Sequence, residues 1–199
     1  MSDRMSYDAA YAKAHSCLSW LAPFCEDIVI AGSLRRHEPT IGDIEIVARP
    51  KMLPPALDLF GVTVGAPPPV LYGELELALM DGRLTHPEHK GWGERMRKFM
   101  YHGAKVDLFI CPEAERFGTI LLIRTGSAEF SHAFAAHLQR SGIWRFAGGA
   151  LERRQVYGGA EPTWIPVATL TEADVFRLAG VPFIEPQDRG ANGPWREAL

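Results

Sequence analysis

GSLRRHEPTIGDIEIV, running from Gly32 to Val47, is the stretch on which the reading of this chain turns. It opens with a glycine-serine turn, passes two arginines, and ends in a strand where Ile44, Ile46 and Ala48 alternate with Glu45, Val47 and Arg49. Asp43 and Glu45 stand two apart. On extended backbone their carboxylates point to one face, ~6.6 Å apart along it, and can lean onto shared cations. Gly32 lets backbone approach a phosphate, Ser33 offers hydroxyl and amide donors, and Arg36 can fork onto phosphate oxygens.

Working outward, DIVIAG (27–32) reads as a buried strand. Before it, a helical period over Ser6 to Leu21 is capped by Ser6 and ended by Pro23. After it, the prolines of 50–69 mark a loop or an excursion from the sheet, and a hairpin is expected around Asp81-Gly82. RKFMYHGAKVDLFIC (97–111) reads as two strands hinged near His102-Gly103. Val106, Leu108 and Ile110 face one way, and Lys105, Asp107 and Phe109 the other. GTILLIR (118–124) reads as a further strand. Ser127 opens a helix with Phe130, Ala133, Phe134 and Leu138 on one side, and Gly142 closes it. Thr171 and Asp174 form a capping box for a helix ending at Gly180, and the tail from Val181 reads as loop.

Asp107 is the third acid of interest. It sits on a strand whose other face is apolar, and an acid there needs a partner that a metal can supply. Two-metal phosphoryl transfer uses such a set of oxygen ligands, with ions ~3.5–4 Å apart. Magnesium suits these hard donors.

Composition narrows the classes without choosing among them. A chain of 199 residues makes one domain or two small ones, and no apolar run approaches the ~20 residues of a membrane span. Three cysteines, Cys17, Cys25 and Cys111, lack CxxC spacing; they read as buried hydrophobes in a reducing cytoplasm, not as disulfides or zinc ligands. The net charge of −3 is awkward for a nucleic-acid partner. Lys90, Arg95, Arg97, Lys98 and Lys105 nevertheless crowd one stretch, which is either a solvated face or a strand-binding patch.

The quoted stretch resembles the nucleotidyltransferase signature of family X DNA polymerases, DNA polymerase beta among them: a glycine-serine, two arginines, then GD-x-D. The likeness continues in KVDLFI (105–110), RTGSAEF (124–130) and IPVATLTEADVFRLAGVPFIEPQDR (165–189), leaving 50–92 unmatched. It implies a mixed α/β (α+β) fold. Residues 1–125 would form a palm of about five strands with helices on one face, and 126–199 a small α/β thumb. It implies that Asp43, Glu45 and Asp107 hold two magnesium or manganese ions, with Asp107 also drawing a proton from a primer 3′ hydroxyl. Gly32, Ser33, Arg36 and Gly42 would hold a nucleoside triphosphate, and Ile123, Arg124, Thr125 and Gly126 would pass beneath its sugar. Lys105 and Lys98 would touch DNA, and Glu172 would approach Arg35, a pair that favours a closed thumb and adds little stability if exposed, ~0–1 kcal/mol.

Three departures qualify that likeness. Glu45 replaces an aspartate, Ile123 and Arg124 replace aromatics beneath the sugar, and Ser131 and Ala135 replace polar residues that reach base and template. The expectation is a monomeric, cytoplasmic short-gap repair or end-processing DNA polymerase acting on gapped or primed DNA. Two readings stay beside it: a nucleotidyltransferase for a small-molecule or protein hydroxyl, favoured by the acidic charge and Glu45, and a non-catalytic DNA-end binder.

Overall fold

The structure is a computed structural model describing residues 4–57, 59–60, 63–65, 68–85, 91–156, 158 and 161–199. Helix α1 (Tyr7–Leu21) starts where Ser6 Oγ accepts the Ala9 N–H. Its buried face, Ala10, Ala14, Cys17 and Leu21, recurs every three to four residues, and its small side chains let the helix lie close to the sheet. Strand β1 (Cys25–Ile30) leads into a single helical turn, α2 (Gly32–Arg35), and then β2 (Ile44–Pro50), α3 (Val70–Met80), β3 (Met96–Tyr101) and β4 (Ala104–Ile110). The sheet runs β1-β2-β4-β3; β2 and β4 are parallel, and the outer pairs are antiparallel. Met5–Ser6 pairs with Thr40–Ile41, and Ala56–Leu57 with Thr63–Val64, as two short ribbons.

One face of the sheet, with Ile44, Ile46, Ala48, Val106 and Leu108, packs on α1 and α3. The other, with Val47 and Phe109, meets Phe117 and Leu121 of α4 (Phe117–Thr125). Helices therefore cover both faces, not the expected one. GTILLIR belongs to α4 and is not a strand, so the main sheet has four strands, not about five. The period was hidden because α4 is buried on both sides: Phe117 and Leu121 face the sheet while Leu122 enters a second core. The hairpin expected at Asp81-Gly82 is instead the end of α3, where Asp81 Oδ1 accepts the Arg83 N–H at 3.0 Å.

That second core belongs to the C-terminal half: α5 (Ala128–Arg140), strands β5 (Trp144–Ala147), β6 (Ala150–Gln155) and β7 (Thr163–Val167), and α6 (Glu172–Ala179). The strands form an antiparallel sheet ordered β7-β6-β5. Phe130, Phe134, Leu151, Phe176 and Trp195 fill the space between, each worth about 1.5–3 kcal/mol when fully buried. Ser127 caps α5, and the Thr171–Asp174 box caps α6, both as the sequence predicts. The tail is less loose than expected: two short turns, Pro186–Arg189 and Pro194–Glu197, bury Arg189 and Trp195. The fold is mixed α+β. Among the described residues no helix is long and apolar enough to cross a membrane, and all three cysteines are buried and free.

Candidate active site

The parallel register of β2 and β4 aligns Glu45 with Asp107, and the antiparallel register of β4 and β3 aligns Asp107 with Lys98. Cross-strand partners project to the same side of a sheet, so these three form one row across three strands. The next row on that face is Val47, Phe109 and Met96, beneath α4. The charged row thus lies where the apolar contact with α4 ends. Asp43 stands exposed just before β2, and Lys105 is exposed on the Asp107 face of β4.

Gly32 closes the other side. It adopts φ +62°, and a Cβ there would lie 1.9 Å from Glu45 Oε2, so only glycine fits where that carboxylate crosses the turn. Ser33 and Arg36 follow on the turn and just past it. Arg36 Nη1 donates to the Thr125 carbonyl at 2.8 Å and Nε to Glu38 at 3.4 Å, while Arg35 Nη1 donates to Thr125 Oγ1 at 2.7 Å. The structure therefore brings the Gly32–Arg36 stretch, whose glycine meets Glu45, together with Thr125, 89 residues from Arg36 in sequence.

Glu45 is the electrostatic oddity. Its carboxyl is pushed up to about 7, chiefly by burial, next by the Asp43 charge; Asp107 adds to this, and Arg124 and Arg36 oppose it. Among the described residues no side chain hydrogen-bonds to it. Arg124 stacks over the Phe109 ring at 3.9 Å, and is not the firm wall that an aromatic would make. Ile123, Arg124, Phe109, Ile120 and the Gly148-Gly149 turn line a cavity of about 270 Å³, which none of the three acids lines.

Three carboxylates with surplus negative charge, that of the half-buried Glu45 accepting no side-chain hydrogen bond among the described residues, fit a hard divalent cation. Among the described residues no three acid, imidazole or thiol side chains already converge as a preformed cage. Asp107 is turned to Lys98 instead, Oδ2 to Nζ 2.7 Å.

The basic stretch is largely spoken for. Arg95 pairs with Glu113 at 2.8 Å. Arg97 is buried on the opposite face between the Tyr72 and Trp92 rings, with Glu76 at 3.6 Å. Lys90 lies outside the described residues. One cation was missed by the sequence reading. Arg4 donates to Thr40 Oγ1 at 2.9 Å and to the Thr40 carbonyl at 2.5 Å, and its Nη1 lies 3.4 Å from where a Gly42 Cβ would stand. The pairing of Met5–Ser6 with Thr40–Ile41 brings it there, and a two-residue bridge leaves no periodic signal to find.

Arg35 Nη2 meets Glu172 Oε2 at 2.7 Å, as expected, and the pair is largely shielded from solvent. Glu172 is buried, and its Oε1 also accepts from the fully buried Arg189 at 2.5 Å.

No protein-family model matches this sequence, and no curated protein is significantly similar to it. What the site does is therefore read from its own geometry.

Proposed function

We propose that this chain is a metal-dependent nucleotidyltransferase that adds (deoxy)nucleotides from nucleoside triphosphates to a DNA 3′ hydroxyl, in the manner of a family X DNA polymerase. The observation that supports it is the row of Glu45 and Asp107 on paired strands, with Asp43 at its edge and the Gly32-Ser33 turn folded against it. Asp43, Glu45 and Asp107 would hold magnesium or manganese, which supplies Lewis-acid charge at the phosphates and lowers the pKa of the attacking hydroxyl.

The chain's own groups do the remainder. Gly32, Gly42, Ser33, Arg36 and Arg4 bind the triphosphate, and the end of α4 from Ile123 to its cap Gly126 receives the sugar. Asp107 takes the proton of the 3′ hydroxyl as its oxygen bonds to the α-phosphorus and pyrophosphate departs. Arg36 and Arg4 hold the charge on the departing phosphates. Lys105 meets the primer strand. The Arg35–Glu172 contact supports a C-terminal half that closes over the site as a thumb.

A small-molecule or protein acceptor is the second reading. It is favoured by the net charge of −3 and by the acidic partners of Arg95, Arg97 and Lys98. The test incubates the protein with labelled triphosphates, magnesium or manganese, and gapped, primed or single-stranded DNA. Extension of a 3′ end by one or more nucleotides is expected. Label transferred to protein or small acceptors with no DNA extended would select the second reading, and no transfer to any acceptor would refute both.

A further inference from the structure

Lys98 is held onto Asp107 by the segment beside it. The two residues are cross-strand partners, and Nζ lies 2.7 Å from Oδ2. The Lys98 N–H donates to the Gly91 carbonyl at 2.8 Å, and the Gly93 N–H to the Met96 carbonyl at 2.8 Å, which lays residues 91–93 along β3. Trp92 is bridged to Arg97 and stacks on it, fixing the segment. Gly91 has φ +92°, and a Cβ there would stand 2.8 Å from Lys98 Cδ and 2.9 Å from Cγ. Glycine is therefore required where the lysine stem passes. The stem is confined from Cβ to Cδ and its ammonium is delivered to the acid.

A divalent ion on Asp107 and an ammonium 2.7 Å from the same carboxylate repel each other, so both cannot be accommodated there at full strength. The lysine head, beyond the confined Cβ–Cδ stem, is the mobile member: it is a point charge, and the side chain is 42% exposed, against 14% for Asp107. Phosphates of a bound strand offer it another anion.

We infer that Lys98 is a built-in counter-ion and positioning residue. It holds Asp107 in the free protein, yields it to the divalent ion, and passes its own charge to a phosphate of the bound DNA strand. Metal and DNA binding are thereby linked through one side chain, each favouring the other. This rests on the metal-dependent reading above.

The test is the affinity for Mn2+ of the intact protein without nucleotide, read from the electron paramagnetic resonance of free manganese. Wild-type, Lys98→Met and Lys98→Gln proteins are compared, with thermal unfolding to show that each folds. Removing the competing charge should tighten Mn2+ binding about fivefold or more in both variants. A one-nucleotide-gapped duplex should tighten the wild type most and narrow that gap. Equal affinities of wild type and variants, or a gap the duplex leaves unchanged, would overturn the role of Lys98 while leaving the metal site standing. No Mn2+ bound by any of the proteins would remove the metal reading and this inference together.

Discussion

Two charge clusters meet at α2, and they are built on opposite rules. On one side Glu172 sits between Arg35 and Arg189, each of its oxygens on a guanidinium at 2.7 and 2.5 Å. On the other, Glu45 shares its surroundings with Asp43 and Asp107, and its carboxylate accepts no side-chain hydrogen bond among the described residues. Burial in low dielectric demands that a charge be matched, and the first cluster obeys. A surplus of one sign is costly, and it persists in a fold where something outside the chain neutralises it in use. The first cluster joins two halves of the molecule; the second is the one to which the proposed chemistry is assigned.

The comparison breaks most visibly by mutation of the acids. Asp43→Asn and Asp107→Asn should each lower primer extension by about a thousandfold or more, ~4 kcal/mol of transition-state stabilisation. Asp43→Asn should leave the unfolding temperature without metal unchanged or higher, because a like charge has been removed, whereas Asp107→Asn also gives up the ion pair with Lys98. Near-normal turnover in either variant would refute the proposed chemistry. At the matched cluster the pattern inverts. Glu172→Ala strands Arg189, whose side chain is 0% exposed and whose ionisation burial already opposes, and should cost about 3–5 kcal/mol in urea denaturation. A loss below about 1 kcal/mol would mean that water reaches the guanidinium.

How legible these clusters were in the sequence follows from how local their signals are. Asp43, Glu45 and Gly32 lie within one short stretch, and strand alternation alone puts the acids on a common face. Asp107 could be put on its face by the same period. The capping box at Thr171–Asp174 is likewise a local signal, and it forms as read. Helix α4 was misread because its apolar residues serve two cores and so show no single stripe. Arg4 and Arg189 were invisible for another reason: each acts through a contact distant in sequence or inside an irregular tail, where no periodicity points. The ion pair of Lys98 with Asp107 depends on the register of β3 on β4, which hydrophobic alternation fixes only to a face.

The unmatched cluster also makes a pH prediction. Glu45 keeps its proton in the folded protein up to about 7, whereas in the unfolded chain it loses it near 4.5. Between those values the folded state binds more protons, so stability without metal falls as pH rises through the window and levels off above it. Discounted for its partial exposure, the effect is ~1–2 kcal/mol between about pH 5 and pH 8. Glu45→Gln should flatten this slope and stabilise the metal-free protein at pH 8. Urea curves at the two pH values for both proteins check it, and a slope that survives the substitution would assign the titration elsewhere.

The smallest effect separates the length of Glu45 from its charge. Its carboxylate reaches across Gly32, where a Cβ would stand 1.9 Å from Oε2 and 3.1 Å from its own Cβ. Glu45→Asp keeps the charge and draws the carboxylate back by about one bond length, ~1.5 Å. It installs the aspartate that the proposed family X reading expects at this position. Extension should survive within about tenfold, ~1.4 kcal/mol, with less preference for manganese over magnesium. Gly32→Ala, by contrast, forces the glutamate aside and adds strain at positive φ, so it should cost far more activity. If the clash with the carboxylate is the larger part, adding Glu45→Asp to Gly32→Ala restores some of it, and the two substitutions are non-additive. Simple additivity of the two losses would leave backbone strain as the whole reason for Gly32. An inactive Glu45→Asp protein would mean that the turn and the acids are fitted to the longer side chain.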